Sequence, residues 1–208
     1  MSVTLYGEAL QAPEVEVMVR GDDGSREPLR AARWAAPVDE VDARITARLD
    51  GPTLDIGCGP GRLVASVAAR GLPVLGIDIA PTAIAMTRTR GGSALQLDVF
   101  GRVPGTGRWP WALLMDGNIG IGGAPRRLLR RTAQLLAPQG RVIVEVEPPG
   151  SRCRQHNVRL ETGSRIGGWF PWAWLSADCI PDVATASGLR LATLWQDEGR
   201  CFAELRRP

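Results

Sequence analysis

Lysine is absent from this 208-residue chain: all 25 basic residues are arginine. On a solvated surface the two cations are nearly interchangeable, so the absence is read as codon bias. With 22 acidic residues the net charge is only +3, a balance that permits nucleic-acid binding without arguing for it. No apolar run approaches the length of a membrane span, so no membrane partner is expected. A basic-then-apolar leader is missing too, since the N-terminal stretch carries Glu8, Glu14 and Glu16. Cysteines are few. Cys58, Cys153, Cys179 and Cys201 form no C-x-x-C pair, so neither a zinc site nor a disulfide framework is expected, and a reducing cytoplasm is the expected compartment. Histidine occurs once, at position 156. There is no internal repeat and no low-complexity tract.

What remains is the composition of an ordinary folded domain, 44% hydrophobic and 23% charged, with length enough for a sizeable core. Glu14 to Arg20 alternates as EVEVMVR and is followed by the turn GDDG, which predicts a small hairpin. Val38, Val41, Ile45 and Leu49 fall at helical spacing, and Asp50-Gly51-Pro52 ends that helix. Strands and helices then alternate. Strands are predicted at 53–56, 73–78, 94–99, 111–115 and 141–147, with helices at 62–70, 81–90 and 125–136. This rhythm predicts an α/β fold, Rossmann-like, with a mostly parallel seven-stranded sheet and helices on both faces. Its last two strands, at 189–195 and 200–205, are expected as a closing antiparallel hairpin joined by QDEG. A helix is expected at 177–187. Residues 158–170 read as an inserted hairpin with ETGS as its turn. One domain is expected over 1–208: an N-terminal cap (1–37), a core (38–147), an inserted segment (148–176) and a closing helix and hairpin (177–208).

The stretch LDIGCGPGR, residues 54–62, concentrates backbone freedom where the first core strand ends. In an open parallel sheet, ligands bind at the carboxyl ends of the strands, near the switch point in strand order. Gly57, Gly59 and Gly61 let the chain turn tightly and pass close to a ligand because no Cβ intervenes, and the free N–H groups of the next helix face the same place. A dinucleotide fold wants G-x-G-x-x-G, but the third glycine position here holds Arg62. Asp78 and Asp98 end the next two strands. Each acid either caps the turn that follows it or accepts a ligand's polar groups.

LDIGCGPGR, VLGIDIA and LQLDVF together resemble the class I S-adenosylmethionine-dependent methyltransferases over roughly residues 50 to 147, and the closing hairpin suits the same fold. The resemblance implies S-adenosyl-L-methionine as the cofactor and methyl transfer by in-line displacement as the reaction. It implies that Gly57, Gly59 and Gly61 cradle the amino-acid part of the cofactor, with Asp55 near its ammonium. Asp78 would hold the ribose, and Asp98 would meet the adenine amino group. Ile79, Val99 and Asp116 are the remaining cofactor-side candidates.

The acceptor side is less defined. Members of that family that methylate exocyclic base nitrogens look like D/N-P-P-Y/F after the fourth strand; here the residues are Asp116-Gly117-Asn118-Ile119. Pro148-Pro149 follows the wrong strand to substitute. Asn118 is an acceptor-side candidate, and Gly117, Gly120, Gly122 and Gly123 make either a plain connection or a backbone wall against the ligand. Glu145 and Glu147 share one face of the fifth strand. A charge inside a buried strand is costly unless paired, so Glu147 is a candidate acceptor-orienting group, against a salt-bridged or solvent-facing role. His156 is either a catalytic base over the pocket mouth or a structural residue. In GGWFPWAWL, residues 167–175, Trp169 and Trp172 form either a lid over a flat acceptor or plain packing, and Tyr6 and Trp34 are candidates to complete it. Arg126, Arg127, Arg130 and Arg131 read as a solvated helix face.

Positioning contributes roughly 7–11 kcal/mol to such a transfer and a general base about 3–5 kcal/mol, so the lack of an obvious base does not argue against an enzyme. A small molecule is the expected acceptor, with no nucleic-acid or membrane partner and no metal, in a monomer or homodimer. Two alternatives stay open: a non-catalytic S-adenosylmethionine-binding partner protein, and a nicotinamide-dependent oxidoreductase.

Overall fold

The computed structural model describes residues 3–163 and 165–208. The chain opens with α1 (Val3–Gln11), the hairpin β1 (Met18–Gly21) and β2 (Arg26–Pro28), and the short α2 (Ala31–Ala35). Next comes α3 (Glu40–Ala47), whose N-cap Asp39 accepts from the Asp42 amide at 2.7 Å, a bond that satisfies one orphan donor of the first turn. The alternating core follows: β3 (Thr53–Ile56), α4 (Arg62–Ala69), β4 (Val74–Asp78), α5 (Pro81–Thr89), β5 (Ala94–Gln96), β6 (Trp109–Leu114), α6 (Pro125–Leu135) and β7 (Leu136–Val146). The chain finishes with β8 (Arg154–Thr162), β9 (Arg165–Ile166), β10 (Phe170–Trp174), α7 (Ile180–Thr185), β11 (Arg190–Asp197) and β12 (Arg200–Arg206).

Seven strands form the main sheet in the order β11-β12-β7-β6-β3-β4-β5. The five core strands are parallel, and β12 joins β7 antiparallel with Ala203 opposite Val144. The mixed α/β fold with its closing hairpin is therefore as the sequence predicts. The central strand β3 is buried throughout, the condition that makes a parallel strand read as one apolar run. Leu54, Ile56, Ala112, Leu114, Val142 and Val144 carry one face of the core. Leu113, Ile143 and Phe202 meet α3 and α4 on the other. Each of the Leu, Ile, Val and Phe side chains among them contributes about 1.5–3 kcal/mol by leaving water. From β3 the chain passes to β4 on one side, while β6 flanks it on the other, so the switch point lies at the carboxyl end of β3.

A second sheet, β10-β8-β1-β2 with β9 on β8, packs over that end. It unites the N-terminal hairpin with the inserted segment: Val19 pairs with Leu160, and His156 with Trp172. The sequence predicts two separate hairpins, and their pairing is invisible in it because no local pattern records which edges meet. The partner of β8 is chiefly β10, so the insert runs longer than 158–170; Ser164, in its predicted turn, lies outside the described residues. The third core strand is shorter than predicted, ending at Gln96, because Asp98 accepts from the Phe100 amide at 2.9 Å and turns the chain away.

One expectation is overturned. Cys153 is disulfide-bonded to Cys179 across 26 residues, whereas no disulfide was expected from the scattered cysteines; the pair meets only because β8 to β10 folds back on itself. Cys58 and Cys201 are free and buried. No helix among the described residues is long and apolar enough to cross a membrane.

Candidate active site

A cavity of about 660 Å³ opens between the carboxyl edge of the main sheet and the second sheet, within the usual range of about 300–1,000 Å³ for small-ligand pockets. The glycine bend forms its floor. Gly57 and Gly61 take left-handed φ values of 74° and 82°. The amides of Gly57 and Cys58 both donate to the Ile77 carbonyl, at 2.8 and 3.0 Å, tying the bend to β4. From the other side, Asn118 Nδ2 donates to the carbonyls of Ile56 and Gly57 at 3.0 and 2.8 Å. Asn118, named from the sequence as an acceptor-side residue, thus lines the cavity while bracing the bend.

Asp78 stands beside the bend. Its Oδ2 accepts from the Gly59 amide at 3.0 Å and its Oδ1 from the Ala80 amide at 2.8 Å. Burial raises its pKa, and these amide bonds offset part of the effect. Asp78 caps the turn that follows it and also lines the cavity. Asp98 does the same at the rim, where it is exposed. Ile79, Val99 and Phe100 line the wall between them.

The opposite wall is charged. Arg62 grips Asp116 at 2.8 and 3.0 Å and reaches Asp42 at 3.2 Å. Arg200 holds both oxygens of Glu145 at 2.8 Å and Asp42 at 2.9 Å. Arg33 of α2 adds a contact to Asp116 at 3.4 Å. Burial raises the Asp116 pKa despite the arginines. Glu145 is also buried, yet the hydrogen bonds and charge of Arg200 hold its pKa below the usual value. Of this network, Asp116 was named from the sequence as a cofactor-side candidate and Glu145 only as a strand charge that needs a partner. Arg62 was seen there only as a break in a glycine motif, and Asp42, Arg33 and Arg200 gave no signal because their partners are remote in the chain.

Asp55 lies 2% exposed beneath the bend, off the cavity wall. Burial pushes its carboxyl up to about 7 although Arg62 pulls it down. The fold therefore holds a proton that an unfolded chain releases near 3.8, and stability falls as pH rises from about 4 to about 7, then levels. Asp55→Asn removes that penalty. The difference in unfolding midpoint between variant and parent should shift in the variant's favour from pH 5 to pH 8; a difference independent of pH contradicts the assignment.

The aromatic side of the cavity comes from Phe170, Trp172 and Trp174 on β10, with Tyr6 and Trp34 from the N-terminal segment. The rings of Tyr6 and Trp34 meet edge to face at 6.0 Å. Burial, then the Asp78 carboxylate, pushes the Tyr6 ionisation well up, so it stays a hydroxyl. Trp172 lines the cavity. Trp169 does not: it is 47% exposed, under the Arg159 guanidinium and off the cavity wall. His156 is likewise outside the lining. Its ring stacks on Trp174 at 4.9 Å and its Nε2 lies 3.7 Å from Asp23, so this geometry gives it a structural seat rather than one at the reacting centre. Glu147 does line the cavity. Gly120 is pressed against the Ala173 carbonyl and Trp172, so the glycine loop packs on β10. Arg126, Arg127 and Arg130 are exposed, and Arg131 braces the carbonyls of Val99 and Gly101. No group of side chains suited to a metal ion occurs among the described residues.

Known proteins bear on this geometry. Residues 53–140 match a family described as a methyltransferase domain. The chain is 28% identical over 153 residues to a trans-aconitate 2-methyltransferase from Paracidovorax citrulli, covering 71% of this chain and 55% of that one. It is 33% identical over 134 residues to ribosomal RNA small subunit methyltransferase C from Chromohalobacter salexigens, covering 59% and 37%. The chain thus spans about half or less of these relatives' length. Among solved structures, an S-adenosylmethionine-dependent methyltransferase from Bacteroides fragilis, in complex with S-adenosyl-L-homocysteine, superposes with a TM-score of 0.79 at 19% identity, covering 98% of this chain and 93% of that one.

Proposed function

We propose that the chain is a class I S-adenosylmethionine-dependent methyltransferase, the reading its methyltransferase-domain match supports, and that it transfers the methyl group to a small-molecule acceptor held in the cavity. The observation that carries this reading is convergence. A side-chain-free bend at Gly57–Gly59, the buried carboxylate of Asp78 and the rim residues Ile79, Asp98 and Val99 line one side of a single space. That donor set suits the cofactor: backbone for its amino-acid part, an acid for the ribose hydroxyls, and apolar walls with a rim acid for the adenine. Asp116 lines the cavity whereas Asp55 is submerged off its wall, so Asp116 is the better placed of the two to meet the ammonium. When bound, S-adenosylmethionine supplies an electrophilic methyl group on a good leaving group. The protein's part is to orient the acceptor and exclude water, and positioning of this kind is worth about 7–11 kcal/mol. The remaining cavity volume, walled by Tyr6, Trp34, Phe170, Trp172 and Trp174 on one side and by charged residues on the other, is of a size that supports a small acceptor over a polymer.

Calorimetry with S-adenosylhomocysteine and with NAD, followed by radiometric methyl transfer from labelled S-adenosylmethionine, tests the reading. Binding of the first ligand alone and transfer to a small acceptor are expected. Binding without transfer across a broad acceptor panel, or transfer only to RNA, contradicts it. A local test concerns Asn118. Asn118→Ala frees the carbonyls of Ile56 and Gly57 and should weaken S-adenosylhomocysteine binding by roughly 2- to 10-fold, the worth of about one net hydrogen bond; unchanged affinity shows that the bend stands without the brace.

A further inference from the structure

Six carboxylates line the cavity: Glu27, Asp78, Asp98, Asp116, Glu145 and Glu147. Five are accounted for. Asp78 accepts two amides, Asp116 is held by Arg62 and Glu145 by Arg200, while Glu27 and Asp98 are exposed at the rim. Glu147 alone is half-withdrawn from water with no cation or hydrogen-bond donor on its side chain among the described residues. Apolar residues Val146, Pro148, Trp174 and Leu175 and the Cys201 thiol line the same cavity. The Glu147 backbone is fixed from both sides, since its N–H donates to the Leu175 carbonyl at 2.8 Å and its C=O accepts from Ala177 at 2.9 Å. Elsewhere on the cavity lining, Trp172 and Phe170 meet edge to face at 6.2 Å. Of the arginines on the cavity wall, Arg33, Arg62 and Arg200 are committed to other acids, Arg154 lies over the Trp174 ring at 4.7 Å, and Arg30 is exposed.

A partly buried carboxylate without a partner is unfavourable unless a cation completes it, and an aromatic wall favours the same charge. We propose that the acceptor is a small amine whose ammonium is held by Glu147, in the cavity that Trp172 also lines. This rests on the methyltransferase reading. The ammonium releases one proton to water, leaving the Glu147 carboxylate ionised. The freed nitrogen lone pair forms the new C–N bond as the C–S bond breaks with its electron pair left on sulfur. The product, an N-methylammonium, again pairs with Glu147.

The test uses matched sets on one ring: benzylamine, benzyl alcohol and benzoate, then cyclohexylamine, cyclohexanol and cyclohexanecarboxylate. Each is titrated into protein saturated with S-adenosylhomocysteine and assayed for methyl transfer. The amines should bind and be methylated at least about tenfold better than their partners. Glu147→Gln should raise the amine KM by roughly 10- to 150-fold, the loss of a charge-assisted hydrogen bond. It should change kcat less and leave S-adenosylhomocysteine affinity intact, and Glu147→Asp should recover part of the KM. Preference for an alcohol or a carboxylate, no amine bound at millimolar concentration, or an unchanged KM in Glu147→Gln overturns the proposal. Failure of the parent protein to bind S-adenosylhomocysteine instead overturns the reading beneath it.

Discussion

Asp78→Ala should weaken S-adenosylhomocysteine binding by roughly 10- to 150-fold, the cost of about 1.5–3 kcal/mol for charge-assisted hydrogen bonds. The carboxylate is 7% exposed, and what remains open faces the cavity. It also accepts from the Gly59 and Ala80 amides, so its removal loosens the bend as well as the ribose contact. Asp78→Asn separates the two effects. The amide oxygen still accepts one backbone N–H, while the second acceptor and the charge are gone. Titration calorimetry should rank affinities parent, Asn, Ala. Equal affinity in all three places the ribose elsewhere.

The second large effect concerns stability. At Gly61 the backbone has φ of 82°, and an added Cβ would lie 2.5 Å from Thr87 Oγ1 and Cγ2. Thr87 has no room to yield: it is fully buried, and its hydroxyl is 2.9 Å from the Gly59 carbonyl and 3.0 Å from that of Ala83. Gly61→Ala therefore combines left-handed strain of about 1–2 kcal/mol with overpacking of about 1–3 kcal/mol. The melting temperature should fall by roughly 5–20 °C. Gly71→Ala is the control. Its φ is 75°, but nothing lies within 4 Å of the new Cβ, so only the strain should appear. Equal losses at the two positions mean that packing against Thr87 contributes nothing.

These two sites show what the sequence made legible. Thr53–Ile56 and the helix beginning at Arg62 stand where the pattern put them, because a buried parallel strand, a glycine bend and an amphipathic helix are all written in local spacing. Asp78 was legible for the same reason: it ends a strand at a fixed distance from the bend. The helix α1, which carries Tyr6 to the cavity, was not foreseen, nor was the pairing of β1 with β8. Both depend on which surfaces meet, and periodicity within one segment is silent on that. The arginine–carboxylate network failed to register for a related reason. Arg200 and Asp42 are 158 residues apart in sequence, and only the closing hairpin brings them together. The Cys153–Cys179 link was missed because the spacing of two cysteines says little about the path between them. His156 and Trp169 were placed over the pocket by nearness in sequence to its wall, but the insert turns the first toward Asp23 and Trp174 and leaves the second under Arg159.

A crystal structure of the protein with S-adenosylhomocysteine tests the central claim most directly. The account predicts the ribose hydroxyls on Asp78, the amino-acid part along Gly57–Gly59, and the sulfur turned toward the space bounded by Glu147 and Trp172. Density for the ligand elsewhere, or an adenosyl group turned away from Asp78 while the bend stays bare, contradicts it.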